Sequence, residues 1–180
     1  MMGKRSSNFE RQPRGTYPTP ISATQPLLPH LPTGARFDEP CAGDGALVNH
    51  LESAGQVLTS ASDIHPTASG IIKRDALELE KCNGDIFITN PPWPEPNRRG
   101  EPALAILIHL SALAPTWLLL PADFAHNAYF SAVAERCQKI VSVGRVKWVV
   151  GSKYYGMDNV AWYLFDGSYA GQTTFHGRAA

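Results

Sequence analysis

Asp85-Ile86-Phe87-Ile88-Thr89-Asn90-Pro91-Pro92-Trp93 is the stretch on which the reading of this 180-residue chain turns. Its first half alternates apolar residues with β-branched and polar ones, the pattern of a buried strand. The second half cannot continue that strand. Asn90 tolerates unusual backbone angles, and Pro91 and Pro92 have no N–H to give to a ladder. The strand is therefore expected to end at Asn90, at the carboxyl edge of a sheet, with Trp93 on a stiff, projecting turn. The amide oxygen of Asn90 and the neighbouring backbone carbonyls are acceptors. Together they suit an exocyclic NH2 group, whose lone pair is delocalised into a ring. Two acceptors that pull such an amine toward tetrahedral geometry free its lone pair by orientation and fixed dipoles, with no strong base. Trp93 adds an aromatic face for an unstacked base, worth about 1–3 kcal/mol.

Asn90-Pro91-Pro92-Trp93 after a strand resembles the catalytic motif of the amino-methylating class I S-adenosylmethionine-dependent methyltransferases, specifically the adenine-N6 DNA type. These enzymes modify adenine N6, cytosine N4 or, in one branch, a glutamine side-chain amide. The resemblance implies S-adenosylmethionine as cofactor and Asn90, Pro91, Pro92 and Trp93 as the catalytic group.

Upstream, Ala35 to Val48 reads as a short strand, acidic residues, a Gly-rich turn and a helix running to about Ser53. Gly43 and Gly45 permit tight geometry and close ligand approach. Asp38, Glu39 and Asp44 flank them, which suits a cationic ligand better than a phosphate. Glu39-Pro40 followed by Gly43-Asp44-Gly45 is similar to the family's first motif. Gln56–Asp63 reads as a second strand whose terminal acid lies about 20 residues beyond the turn. Asp63 there suits the ribose hydroxyls of a nucleoside, or else simply starts the Asp-Ile-His-Pro turn. Ile71-Ile72 reads as a short strand with Asp75 beyond it. The resemblance implies that Asp75 contacts the cofactor adenine; local chemistry allows it equally to cap a short Ala76–Glu80 helix. Tyr17-Pro18-Thr19-Pro20 resembles the family's Tyr-x-Thr-Pro element, which implies that Tyr17, Thr19 and Pro20 lie over the methionine part of the cofactor.

Downstream, Arg98 and Arg99 in a Pro-rich loop are candidates for phosphate contact, or else belong to a plain solvated loop. A helix is expected from Glu101 to about Ala114, then a buried strand Thr116–Pro121 with Trp117 in the core. Phe124, in a loop at the same sheet edge as Asn90, is a candidate second wall of a base pocket. Tyr129 to about Cys137 reads as a short helix. Val141–Val150 and Asn159–Phe165 read as a closing pair of strands, the last antiparallel. Between them, Lys153 and Tyr154 sit on a Gly-flanked loop suited equally to nucleic-acid contact or to a plain hairpin connection.

Alternating strands and helices predict a Rossmann-like three-layer α/β sandwich, with a mostly parallel seven-stranded sheet and an antiparallel last strand. Residues 1–14, Pro-, Ser- and Arg-rich, read as a flexible arm. Residues 15–180 read as one methyltransferase domain with no separate target-recognition domain. An apolar content of 43% and a charged content of 18% are globular values. A net charge of zero limits nucleic-acid binding to a local basic patch. Cys41, Cys82 and Cys137 lack metal-ligand spacing, so no metal is expected. Without a signal peptide or long apolar run, the setting is read as cytoplasmic, with no membrane partner. The expected reaction is methyl transfer to a nucleobase amine, adenine N6 in DNA. RNA adenine or cytosine-N4 methylation, glutamine-amide methylation and a non-catalytic methyltransferase-like subunit stay open beside it. A homodimer or partner chain is a candidate source of sequence specificity.

Overall fold

The computed structural model describes residues 17–93, 101–149 and 151–178. Arg98, Arg99 and the arm at residues 1–14 lie outside them. Eight strands form one sheet: β1 Arg36–Glu39, β2 Val57–Asp63, β3 Ile72–Lys73, β4 Ile86–Thr89, β5 Thr116–Pro121, β6 Cys137–Gly144, β7 Val160–Phe165 and β8 Thr174–His176. Their spatial order is β3-β2-β1-β4-β5-β7-β6-β8. Every pairing is parallel except those of β7, which runs antiparallel to both β5 and β6.

The central strands are buried along almost their whole length. That is what helices on both faces of a parallel sheet require. Period-two alternation divides their side chains between two cores. Ile86, Ile88, Trp117, Leu119 and Trp162 go to one face, with Leu27, Leu47 and Leu51. Phe87, Leu118, Leu120, Tyr163 and Phe165 go to the other, with Leu107 and Leu110. The first face is covered by α1 (Ile21–Thr24), the 3-10 turn Gln25–His30 and α2 (Ala46–Ser53). The second is covered by α3 (Glu101–Leu113) and the 3-10 turns Ala76–Glu78 and Ala122–His126. The result is a three-layer Rossmann-like sandwich. Trp162 secures the first layer, its buried indole N–H donating to the Ala23 carbonyl at 2.7 Å.

Three details depart from the sequence reading. The sheet has eight strands, because Thr174–His176 pairs with β6 as an added parallel edge. The Thr173 hydroxyl fixes its start by donating to the Cys137 carbonyl at 2.7 Å. The expected helix from Tyr129 to Cys137 is two short 3-10 turns, Ala128–Ala132 and Ala134–Arg136. The strand expected at Val141–Val150 instead spans Cys137–Gly144 and stops where Gly144 turns left-handed.

β1 pairs with β2 on one side and β4 on the other. The sheet therefore grows outward in both directions from the β1–β4 seam. Such a switch point opens a crevice at the carboxyl ends of the strands, and both the Gly turn after β1 and Asn90 after β4 lie there.

Candidate active site

β4 ends at Thr89, and the two prolines that cannot pair turn the chain away from the sheet. Pro91 is buried, Pro92 exposed and Trp93 half-buried. The Asn90 carboxamide is bonded at both ends. Its Nδ2 donates to Thr19 Oγ1 at 3.1 Å, and its Oδ1 accepts from Trp93 Nε1 at 3.1 Å. The same indole N–H is shared with the Leu119 carbonyl of β5 at 2.9 Å. Trp93 therefore does not project as expected. It folds back over the strand ends, because a half-buried indole needs an acceptor for its N–H and two lie within reach. Trp148 meets it nearly perpendicularly, at 86° with centroids 5.1 Å apart.

Across the seam, Gly43 and Gly45 adopt left-handed angles, φ 54° and 79°. These let the chain reverse within three residues before α2 starts. The acids around them have separate jobs. Asp38 points away from the turn, accepting from Thr59 Oγ1 and from the Asn83 backbone and side-chain N–H groups. Asp44 Oδ1 accepts from Ala46 N at 3.1 Å, at the start of α2. Asp63 joins β2 to the Gly turn: Oδ2 accepts from Gly43 N at 2.8 Å and Oδ1 from His65 N at 2.7 Å. Asp75 Oδ1 accepts from Leu77 N at 2.9 Å and so caps the 3-10 turn Ala76–Glu78. Both acids thus have the local turn roles the sequence allowed, with lone pairs left over for a ligand.

Glu39 differs. It is 1% exposed at the end of β1. Oε1 accepts from Cys41 N at a long 3.3 Å, while Oε2 has no partner among the described residues. Burial pushes its pKa from the usual 4.5 to about 8. The Asp63 charge adds to that rise, and the Thr89 hydroxyl and the Cys41 N–H oppose it. Thr89 Oγ1 itself is buried without good hydrogen-bond geometry to any described partner, so its help is proximity more than a formed bond. Glu39 Oε2, buried at a turn open to close approach and unpartnered among the described residues, is an acceptor short of a donor. A ligand ammonium fits that shortage. Pro40 is buried beside it, Tyr17 is half-buried and Thr19 is 5% exposed.

Phe124 is corrected by the structure. It is 1% exposed and packs among Tyr129, Phe130 and Tyr163, with ring centroids 5.2–6.0 Å away. The 3-10 turn Ala122–His126 rolls it into the core, so it walls no pocket. Lys153 and Tyr154 are exposed on the loop that follows β6. That loop reaches the site through Trp148. Gly156 N donates to the Val146 carbonyl at 2.8 Å, and a Cβ at Gly156 would stand 2.9 Å from the Trp148 ring. Lys147 Nζ lies 5.0 Å from the Tyr155 ring centroid. Trp148 does not stand out in the sequence because its stretch reads as strand, whereas it lies beyond the end of β6. Its visible signal is alternation with Val146 past the glycine.

Among the described residues no three His, Cys, Asp or Glu side chains gather as a metal site. The three cysteines are unpaired, and burial raises each thiol pKa. No helix among the described residues is long and apolar enough to cross a membrane.

No protein-family model matches the chain, and no curated protein matches it. Solved structures do. The modification subunit of a provisionally assigned type I restriction enzyme from Vibrio vulnificus aligns over 92% of this chain with a TM-score of 0.59 and 12% identity. The methyltransferase subunit of a type I restriction-modification system from Streptococcus thermophilus aligns over 89%, at 0.56 and 12%. This chain covers 47% of each of those subunits, about half their length. A provisionally assigned RNA methyltransferase from Pyrococcus horikoshii aligns over 83% of this chain and 85% of its own, at 0.56 and 16%. At such identities the likeness is one of fold, and the chain shares the α/β sheet of these methyltransferases.

Proposed function

We propose that residues 15–180 form a methyltransferase domain that moves a methyl group from S-adenosylmethionine to the exocyclic amine of a nucleobase, adenine N6 in DNA. The observation that carries this reading is the pairing of two groups across the β1–β4 switch point. One is the buried carboxyl of Glu39, whose Oε2 lacks a donor among the described residues. The other is a carboxamide held at the strand end, Asn90.

In this reading Glu39 Oε2 accepts the cofactor ammonium, and Gly43 and Gly45 admit its chain beside the turn. Asp63 turns spare lone pairs to the ribose hydroxyls, and Asp75 does the same toward the adenine ring. Tyr17, Thr19, Pro20 and Pro40 close over the methionine end. When bound, the cofactor supplies a methyl group activated by its sulfonium. Asn90 Oδ1, with a backbone carbonyl of the Pro91-Pro92 turn, accepts the two amine hydrogens and aims the nitrogen lone pair. No basic residue is needed, because the amine becomes acidic as it gains the methyl and its surplus proton leaves to water. Trp93 bounds the base, Lys153 and Tyr154 touch the strand that carries it, and Arg98 and Arg99 meet phosphates.

The two restriction-modification neighbours favour DNA and a partner subunit or second copy that supplies sequence specificity. The Pyrococcus neighbour makes RNA the first alternative acceptor. Labelled methyl transfer to single-stranded DNA, duplex DNA, RNA and protein tests the proposal. Transfer to adenine in DNA supports it. Transfer to protein alone, or cofactor binding by calorimetry without any transfer, overturns it.

A further inference from the structure

We infer that the indole N–H of Trp93 sets which end of the Asn90 carboxamide faces the acceptor amine, making Trp93 a positioning residue through its nitrogen as well as its ring. The inference rests on the methyl-transfer reading above for its consequence, and on the hydrogen-bond pattern alone for its geometry.

An amide side chain is nearly symmetric in shape, so packing alone barely distinguishes its oxygen from its nitrogen. Hydrogen-bond partners must do so. Thr19 cannot decide, because a hydroxyl donates or accepts as required. The indole N–H can only donate. It is shared between the Leu119 carbonyl at 2.9 Å and Asn90 at 3.1 Å, and it disfavours a second donor at the Asn90 position. The amide therefore presents Oδ1 toward Trp93, and Nδ2 is driven onto Thr19 Oγ1 at 3.1 Å, where the hydroxyl must accept. Flipped, the amide would set its NH2 against the indole N–H, two donors facing each other. Oδ1 keeps a second lone pair for an incoming amine. A flipped Asn90 would offer that amine a donor instead.

Leu119 and Trp148 hold the indole in register, the first by its carbonyl and the second by edge-to-face packing at 5.1 Å. A phenylalanine at position 93 keeps the packing and loses the polarity signal. Thr19, 71 residues distant in sequence, then holds the Nδ2 end that Trp93 has selected, besides its proposed place near the cofactor.

The test compares wild type with Trp93→Phe, Thr19→Val and Thr19→Ser. The first readout is the Asn90 side-chain NH2 signal in nitrogen-15 spectra, identified by its loss in Asn90→Asp. We expect Trp93→Phe to move or broaden that signal as the amide begins to flip. Turnover should drop about tenfold to a hundredfold, with adenosyl-ligand affinity within twofold of wild type. Thr19→Val should unprotect the same protons from exchange, and Thr19→Ser should restore them. An unchanged Asn90 signal in Trp93→Phe overturns the inference. So does a changed signal with undiminished turnover, or a turnover loss matched by an equal loss of ligand affinity. If wild type transfers no methyl to any acceptor, the methyl-transfer reading fails, and the spectra alone decide whether Trp93 sets the amide.

Discussion

Replacing Glu39 with Gln should flatten the pH dependence of folding in a defined window. The native carboxyl has a pKa of about 8 against the usual 4.5, chiefly because it is buried. Below about pH 4.5 both the folded and unfolded chains hold this proton. Between 4.5 and 8 the unfolded chain has lost it and the native chain keeps it, so stability falls as pH rises. Each unit of the window is worth about 1.4 kcal/mol, and the full displacement sets a ceiling of about 5 kcal/mol. Between pH 5 and pH 8 the wild type should lose about 3–4 kcal/mol more than Glu39→Gln, whose amide does not titrate there. Urea unfolding at half-unit pH steps reads this directly as a difference of two curves, in which all other titrations cancel. If the two stabilities run parallel from pH 5 to 8, Glu39 is not held as a neutral buried acid, and the donor shortage inferred at the Gly turn disappears. The same chemistry requires wild-type affinity for a cationic adenosyl ligand to rise with pH toward 8, since an ammonium needs the carboxylate.

Three other substitutions probe the site and its limits. Asn90→Ala should abolish most methyl transfer while calorimetric affinity for the cofactor stays near wild type, because the proposal gives Asn90 contact with the amine only; near-normal turnover removes it from catalysis. Asp63→Ala should weaken cofactor binding by about 1.5–3 kcal/mol, the worth of a charge-assisted hydrogen bond. It should also lower thermal stability, since Gly43 N and His65 N lose their acceptor; unaltered affinity would leave Asp63 a turn residue alone. Phe124→Ala should destabilise the fold by about 3–5 kcal/mol in chemical denaturation, the cost of truncating a buried aromatic, whereas a pocket wall would be lost with little effect on stability.

Local physics made much of this fold readable beforehand. The near-continuous apolar runs of Ile86–Thr89 and Thr116–Pro121 mark strands buried on both faces. Pro91 and Pro92 have no donor and must end a strand wherever they occur. The spacing of Gly43, Gly45 and Asp63 follows from a strand, a reversal and one crossover, and all of that is written within short stretches of chain. The readings that slipped depend on distant partners. Thr174–His176 is a strand only because β6 offers it an edge. Phe124 is core only because Tyr129, Phe130 and Tyr163 gather around it.

The sequence by itself determined the order of strands and turns, and therefore that an acidic Gly turn and an Asn-Pro-Pro-Trp strand end occur in one α/β unit. Those features arise from backbone sterics and periodicity, which act over a few residues. Only the tertiary structure decided that Glu39 is the acid with an oxygen unpartnered among the described residues, that Asp38 and Asp44 are occupied elsewhere, and that Trp93 turns its N–H onto Asn90. Burial and hydrogen-bond partners are properties of groups brought together from remote parts of the chain, and no local pattern encodes them.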